Sequence, residues 1–189
     1  MGRKKDKFGN IVADNLDYYK KIGEISKTLS ENTIFVEERK NHRGFDYGTV
    51  KLDAEISDAL LLEVERNQIS IRDFKFKIYD KSLMPRPCYR FDSDGEAHLN
   101  PGDIPLSERK ITAPHFHRFN DDGVEIAYKT SEWVENTEAL LSNQSLALAS
   151  FAGEEKIAYE KLPEICKSEE LIPPENIMFD PLAGENFYE

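Results

Sequence analysis

From Ile69 to Tyr79, the residues Ile69, Ile71, Asp73, Lys75, Lys77 and Tyr79 alternate with Ser70, Arg72, Phe74, Phe76 and Ile78. A period of two sends successive side chains to opposite faces of a strand, so this run demands a sheet with one covered side and one polar side. Asn67-Gln68 predicts the turn before it. Thr33 to Glu38, Tyr47 to Asp53, Ala59 to Arg66 and Tyr89 to Ser93 share this strand character. Leu16, Tyr19, Ile22, Ile25 and Leu29 recur at helical spacing and predict an amphipathic helix with Asp14 as its N-cap. A stripe through Leu140, Leu141, Ala147, Leu148 and Phe151 predicts a second helix over 136–151, stopped by Gly153, and a short third is expected from Glu154 to Leu162.

The expected fold class is α+β: an antiparallel sheet of about five to seven strands, with the N-terminal helix and the helix near 136–151 packed on one side. The chain has 189 residues, 39% of them hydrophobic, and residues 1–153 are expected to form a single domain. Residues 154–189 read as an acidic, partly extended C-terminal extension anchored at Ile172, Met178-Phe179 and Phe187-Tyr188. From Phe151 to Glu189 ten acidic residues stand against three lysines, so −7 of the net −11 charge lies there. A globally acidic surface disfavours non-specific nucleic-acid binding, though it leaves room for a local basic pocket. No apolar run approaches the roughly 18 residues of a membrane span, and no hydrophobic region follows the basic N-terminus. The expectation is a cytoplasmic protein with no membrane partner. Cys88 and Cys166 lie too far apart in sequence to suggest a metal pair or a disulfide framework.

Three of the four histidines, His98, His115 and His117, fall within one short stretch that begins beside Arg90 and Asp92. These five residues are the candidate catalytic group. Asn120-Asp121-Asp122-Gly123 is strong turn chemistry, and centring a hairpin there sets Phe119 opposite Val124, Arg118 opposite Glu125 and His117 opposite Ile126. In that register both histidines share the more apolar face with Ile126 and Tyr128, while Arg118 and Glu125 form a cross-strand ion pair on the other. The histidine pair supports two chemistries. In the first, His115 and His117, joined by His98 or Asp92, hold a divalent metal with a position left for water; if a metal is present, His98, His115 and His117 are the expected ligands. In the second, which requires no cofactor, one imidazole removes a proton from a ribose 2′-hydroxyl and another protonates the leaving oxygen, with Arg90 or Lys75 steadying the phosphorane. A purely structural role competes with both, Asp92 and Asn100 being ready hydrogen-bond partners. Lys75 and Lys77 beside Phe74 and Phe76 read as an exposed strand face.

The pattern Arg90-x-Asp92-x-x-Gly95-x-x-His98-x-Asn100-Pro101, followed by Pro114-His115-x-His117, resembles a group of small uncharacterised bacterial and phage proteins, and Val64-Glu65-Arg66-Asn67 fits the strand that precedes it there. That group is similar to the TumE-type toxin-like proteins, which share an Arg-Tyr-Asp, His and Pro-His-x-His arrangement. The likeness covers roughly Leu60 to Thr130. It implies a toxin–antitoxin or phage-defence setting with ribonuclease-like activity, and by position it makes Arg66, Arg90, Asp92, His98, Asn100, His115 and His117 the motif residues; Arg66 and Asn100 join Lys75, named above for its charge, as the substrate-binding candidates. The long, charged Pro101–Pro114 loop and the acidic extension depart from the pattern. The leading expectation is a toxin-like protein acting on RNA. The alternative is a non-enzymatic acidic inhibitor that imitates nucleic acid or plugs a basic groove. The expected partner is RNA or a protein such as an antitoxin or host factor.

Overall fold

The computed structural model describes residues 7–39 and 42–168. The chain runs α1 (Lys7–Asp14), α2 (Leu16–Glu24), β1 (Lys27–Leu29), β2 (Thr33–Arg39), β3 (His42–Asp53), β4 (Leu60–Asn67), β5 (Phe74–Asp80), β6 (Tyr89–Asp92), β7 (His98–Leu99), α3 (Leu106–Arg109), β8 (Lys110–Ile111), β9 (His115–Phe119), β10 (Glu125–Tyr128), α4 (Ser131–Ser142), α5 (Gln144–Glu154), β11 (Ile157–Ala158) and β12 (Glu164–Lys167). The α+β class holds, but the sheet is larger than expected and mixed. Its order is β10-β9-β6-β5-β4-β3-β1-β11, with β2 also on β3 and β12 on β2, and the contacts of β11 with β1 and of β12 with β2 are parallel.

One face of the sheet carries the core. Phe74, Phe76 and Ile78 from β5, Tyr89 and Phe91 from β6 and Phe116 from β9 meet Tyr19 and Ile22 of α2, Trp133 of α4 and Phe151 of α5. Phe91 stands 4.2 Å from Trp133 and Phe76 stands 5.5 Å from Phe151, ring centre to ring centre. The alternation that announced β5 thus has its apolar half under helices.

Several boundaries differ from expectation, each for a local reason. Asp14 closes α1 rather than capping a long helix, because Asn15 turns its side-chain amide back to the Ile11 carbonyl (2.9 Å); Leu29 belongs to β1. The strand expected from Ile69 begins at Phe74, and Ile69 lies in the preceding turn at 94% exposure. The expected helix over 136–151 starts earlier and is split at Asn143, whose side-chain oxygen accepts from Ser145 and Leu146 N–H and so begins α5. No third helix covers 154–162: Lys156, at φ +54°, turns the chain so that Ile157 and Ala158 pair with β1. Past the boundary expected at residue 153, β11 and β12 belong to the sheet. The anchors at Ile172, Met178-Phe179 and Phe187-Tyr188 lie outside the described residues. Among the described residues no helix is long and apolar enough to cross a membrane.

The β9–β10 hairpin corrects the expected register. Gly123 N–H donates to the Asn120 carbonyl (2.8 Å), Asn120 N–H donates to the Val124 carbonyl (3.0 Å), and Gly123 adopts φ +70°. The connection is thus a turn followed by one left-handed residue, and it takes one more residue than a two-residue loop. Phe119 accordingly pairs with Glu125, Arg118 with Ile126 and His117 with Ala127. A one-residue slip moves every side chain of a strand to the other face. Ile126 and Tyr128 therefore leave the histidine face, and Glu125 joins it. The expected Arg118–Glu125 pair does not form: Arg118 lies over the Tyr128 ring at 4.7 Å, and Glu125 is bound by Arg86 at 3.2 Å. Gly123 also lets α1 pack on the turn, since a Cβ there would fall 2.0 Å from the Gly9 carbonyl oxygen.

Candidate functional site

The register across β4, β5, β6 and β9 lays two rows of charged side chains across the face opposite the core. Glu65, Lys75, Asp92 and His115 are laterally paired in one row, and Glu63, Lys77, Arg90 and His117 in the other. Lys77 and Arg90 stand directly opposite each other, an arrangement that repels unless other charges intervene. Here they do: Lys77 binds Glu63 at 3.1 Å and also Glu65, while Arg90 lies 3.1 Å from Asp92 and 3.8 Å from Glu125. The expected exposed lysine face is corrected by this network, in which the Lys77 side chain is 12% exposed. Alternating Glu63/Glu65 and Lys75/Lys77 on neighbouring strands was the signal available for it in the sequence.

The three histidines converge at the β6–β9 end. His115 and His117 are 2% and 4% exposed, their ring centres lie 4.5 Å apart, and that of His98 lies 5.1 Å from His117. His117 Nε2 lies 3.2 Å from Asp92 Oδ2 and 3.0 Å from Arg90 Nη2. One ring nitrogen cannot donate to the carboxylate and accept from the guanidinium at once, so its tautomer selects between them. Arg90 Nε reaches Asp92 as a charge contact without the alignment of a hydrogen bond. Asp92 Oδ1, His115 Nδ1 and His117 Nδ1 are buried without a hydrogen-bond partner. One ligand atom from each of Asp92, His115 and His117 lies within 4.8 Å of the other two. Of the two third members expected beside His115 and His117, Asp92 is the one whose ligand atom lies in this group, while the His98 ring stands against His117.

The electrostatics follow from burial. Desolvation, reinforced by His117, drives the His115 imidazole down to about 4 against the opposing pull of Asp92 and the Thr112 backbone, so it is neutral at pH 7. Desolvation alone would raise Asp92; the hydrogen bond from His117 and the charges of Arg90, His117 and Lys75 overcome it and hold the carboxyl below its usual range.

Of the substrate-binding candidates, Arg66 is not brought to the site. It points to the other side of β4, where it pairs with Asp46 (3.3 Å) and reaches the Ile165 carbonyl. Lys75 lies beside Asp92 in register but is engaged by Glu65 at 3.3 Å. Asn100 has a positioning role: its side chain accepts from Ala127 N–H and donates to Ala127 C=O, both at 2.7 Å, and so clips the His98 arm to the open edge of β10. Asn100→Ala should leave both buried backbone groups unpaired and cost about 1–3 kcal/mol. Urea denaturation measures that loss, and hydrogen exchange at Ala127 should accelerate.

A depression of about 510 Å³ on the same polar face is lined by Arg39, Glu63, Tyr79 and Lys81. It begins on β5, two strands from β9, or about 10 Å. Compared with protein families, curated proteins and solved structures, the chain gives no match. The functional reading therefore rests on the site itself.

Proposed function

We propose that the chain is a toxin-like ribonuclease whose site is a divalent-metal centre held by Asp92, His115 and His117, with Arg90 and His98 at its mouth. The observation that carries this reading is the convergence of two buried imidazoles and a carboxylate within 4.8 Å, each with a buried polar atom that has no hydrogen-bond partner. Buried polar atoms without partners are costly unless something satisfies them. Two imidazoles and one carboxylate suit a mid-series divalent ion and leave positions open for water and a phosphate oxygen. Bound there, the ion would polarise a phosphoryl oxygen and supply hydroxide near neutral pH. In this reading Arg90 would neutralise charge on the transferring phosphoryl group, and His98 would pass a proton to the leaving oxygen. Lys81, which lines the neighbouring depression, offers a contact for an RNA backbone.

A second reading, metal-free acid–base cleavage, draws on the Asp92–His117–Arg90 contacts, because a carboxylate that orients an imidazole is a familiar base arrangement. One experiment separates the two. Elemental analysis of the purified full chain should find about one divalent ion per chain, absent from His115→Ala/His117→Ala. RNA cleavage should fall at least ~100-fold in that variant and in chelator, and return on adding metal. Chelator-resistant cleavage favours the metal-free reading. If the wild type neither degrades RNA nor arrests growth on induction, the enzymatic proposal fails and the acidic binding protein stands.

A further inference from the structure

The core-side flank of the sheet holds a second group that the histidine site does not use. Glu155, at the end of α5, is 4% exposed. Among the described residues, no hydrogen bond or ion pair within 4 Å reaches its carboxyl group. The group behind it, Lys27, is committed elsewhere: its ammonium donates to the Ile22 carbonyl at 2.7 Å and the Ile25 carbonyl at 3.0 Å. Glu155 instead lines a cleft of about 550 Å³ between α2, the β9–β10 turn and the end of α5. That volume suits a small organic ligand.

The walls of this cleft define the ligand's chemistry. Tyr19 and Tyr89 stack at 5.1 Å with an interplanar angle of 11°, and their hydroxyls are spent on the backbone of Cys88 and Tyr19, so they bring no free polar group to the cleft wall. Glu24, Asp121, Asp122 and Glu154 contribute four carboxylates beside Glu155, against two cations, Lys20 and Arg118. Lys20 is already neutralised by Asp121 at 2.8 Å, and the Arg118 guanidinium rests on the Tyr128 ring at 4.7 Å. The chain's own guanidinium thus uses one aromatic face of the cleft, the kind of contact that attracts cations to rings. An anion would meet an excess of carboxylates; a cation would meet Glu155, which has no ion pair of its own within 4 Å among the described residues.

We propose that this cleft binds a small organic cation, an ammonium or guanidinium group, with Glu155 as its counter-ion. The ionisation of Glu155 supplies a handle on the test. Lys27 from β1, Arg118 from β9, Tyr89 from β6, Tyr128 from β10 and the neighbouring Glu154 face it, with Cys88 close by. Burial is the largest influence and, with Glu154, outweighs Lys27 and Arg118, pushing the carboxyl up to about 8. A cation binds the carboxylate form, so its binding must lower that value and release a proton at pH 7.

The probe is ethylguanidinium, which stays charged throughout the range. Calorimetry on the full chain, in two buffers of different ionisation enthalpy, should show proton release at pH 7 and about tenfold tighter binding at pH 9, as the free carboxyl passes from mostly protonated to mostly ionised. Glu155→Gln should weaken binding at least ~10-fold and abolish the proton release. In the wild type, the carboxyl carbon resonance of Glu155 should titrate at lower pH with the probe present, a readout that needs no variant. N-acetylarginine amide and spermidine compared under the same conditions distinguish a peptide side chain from a polyamine as the source of the cation. Binding that survives in a folded Glu155→Gln, a Glu155 titration unmoved by saturating probe, or preferential binding of phosphate or acetate would overturn the assignment.

Discussion

Phe116→Ala should destabilise the protein by about 3–5 kcal/mol, the range for removing a fully buried aromatic side chain. Phe116 occupies the centre of the core, with ring centres 5.0 Å from Phe91, 5.3 Å from Tyr128, 6.2 Å from Phe151 and 6.4 Å from Trp133. No single neighbour can move into the space, because these rings come from β6, β10, α5 and α4 and each is held by its own element. The residue also lies between His115 and His117 on β9, so its packing sets the strand that carries both histidines. Urea denaturation should show a lowered midpoint with unchanged slope. A loss under about 1 kcal/mol would mean the surrounding rings repack more freely than their contacts indicate.

Lys77→Ala should cost about 3 kcal/mol at pH 7, because removing one member of a buried charge cluster leaves the others uncompensated. Glu63 and Glu65 would then face each other from one strand with only Arg39 and Lys75 to balance them. The loss should depend on pH. For Glu65, burial by itself raises the carboxyl, but the hydrogen bond and charge of Lys77, joined by Lys75, overrule it and hold the group below its usual range. A carboxyl lowered in the folded state stabilises at pH values above its unfolded value of about 4.3 and loses that contribution as pH falls through the folded value. The wild type should thus lose stability on acidification through this group. In Lys77→Ala the carboxyl can relieve itself by protonation, so the gap between variant and wild type should narrow below about pH 5. Denaturation at pH 7 and pH 4.5 measures both values. A gap that stays constant would show that Lys77 contributes packing rather than charge.

The candidate site was legible in part. His115 and His117 share a side because a strand repeats every two residues, and the same rule groups Arg90 with Asp92. That they converge could be read from spacing and turn chemistry. The face they occupy could not, because it depended on whether the turn between Phe119 and Glu125 consumed two residues or three, and Gly123 in the left-handed region decided for three. Arg66 shows the same limit. Its place in the motif suggested the site, yet it follows Glu65 on β4 and therefore points to the other side, toward Asp46. Asn100, a substrate-binding candidate by its place in the motif, clips the sheet edge at Ala127, a contact no local pattern announces.

Sequence by itself determined the α+β class, the alternation of β5 and the identity of the side chains able to do chemistry, since these follow from local periodicity and residue type. The tertiary structure decided the rest. Parallel pairing drew β11 and β12 into the sheet from a segment that reads as a tail, joining residues more than a hundred positions apart. It also turned the strand lysines into a screened ion network and put Asp92 beside two buried imidazoles. Register and burial are properties of strands in contact, and contacts between distant strands are not encoded in any window of the chain short enough to read.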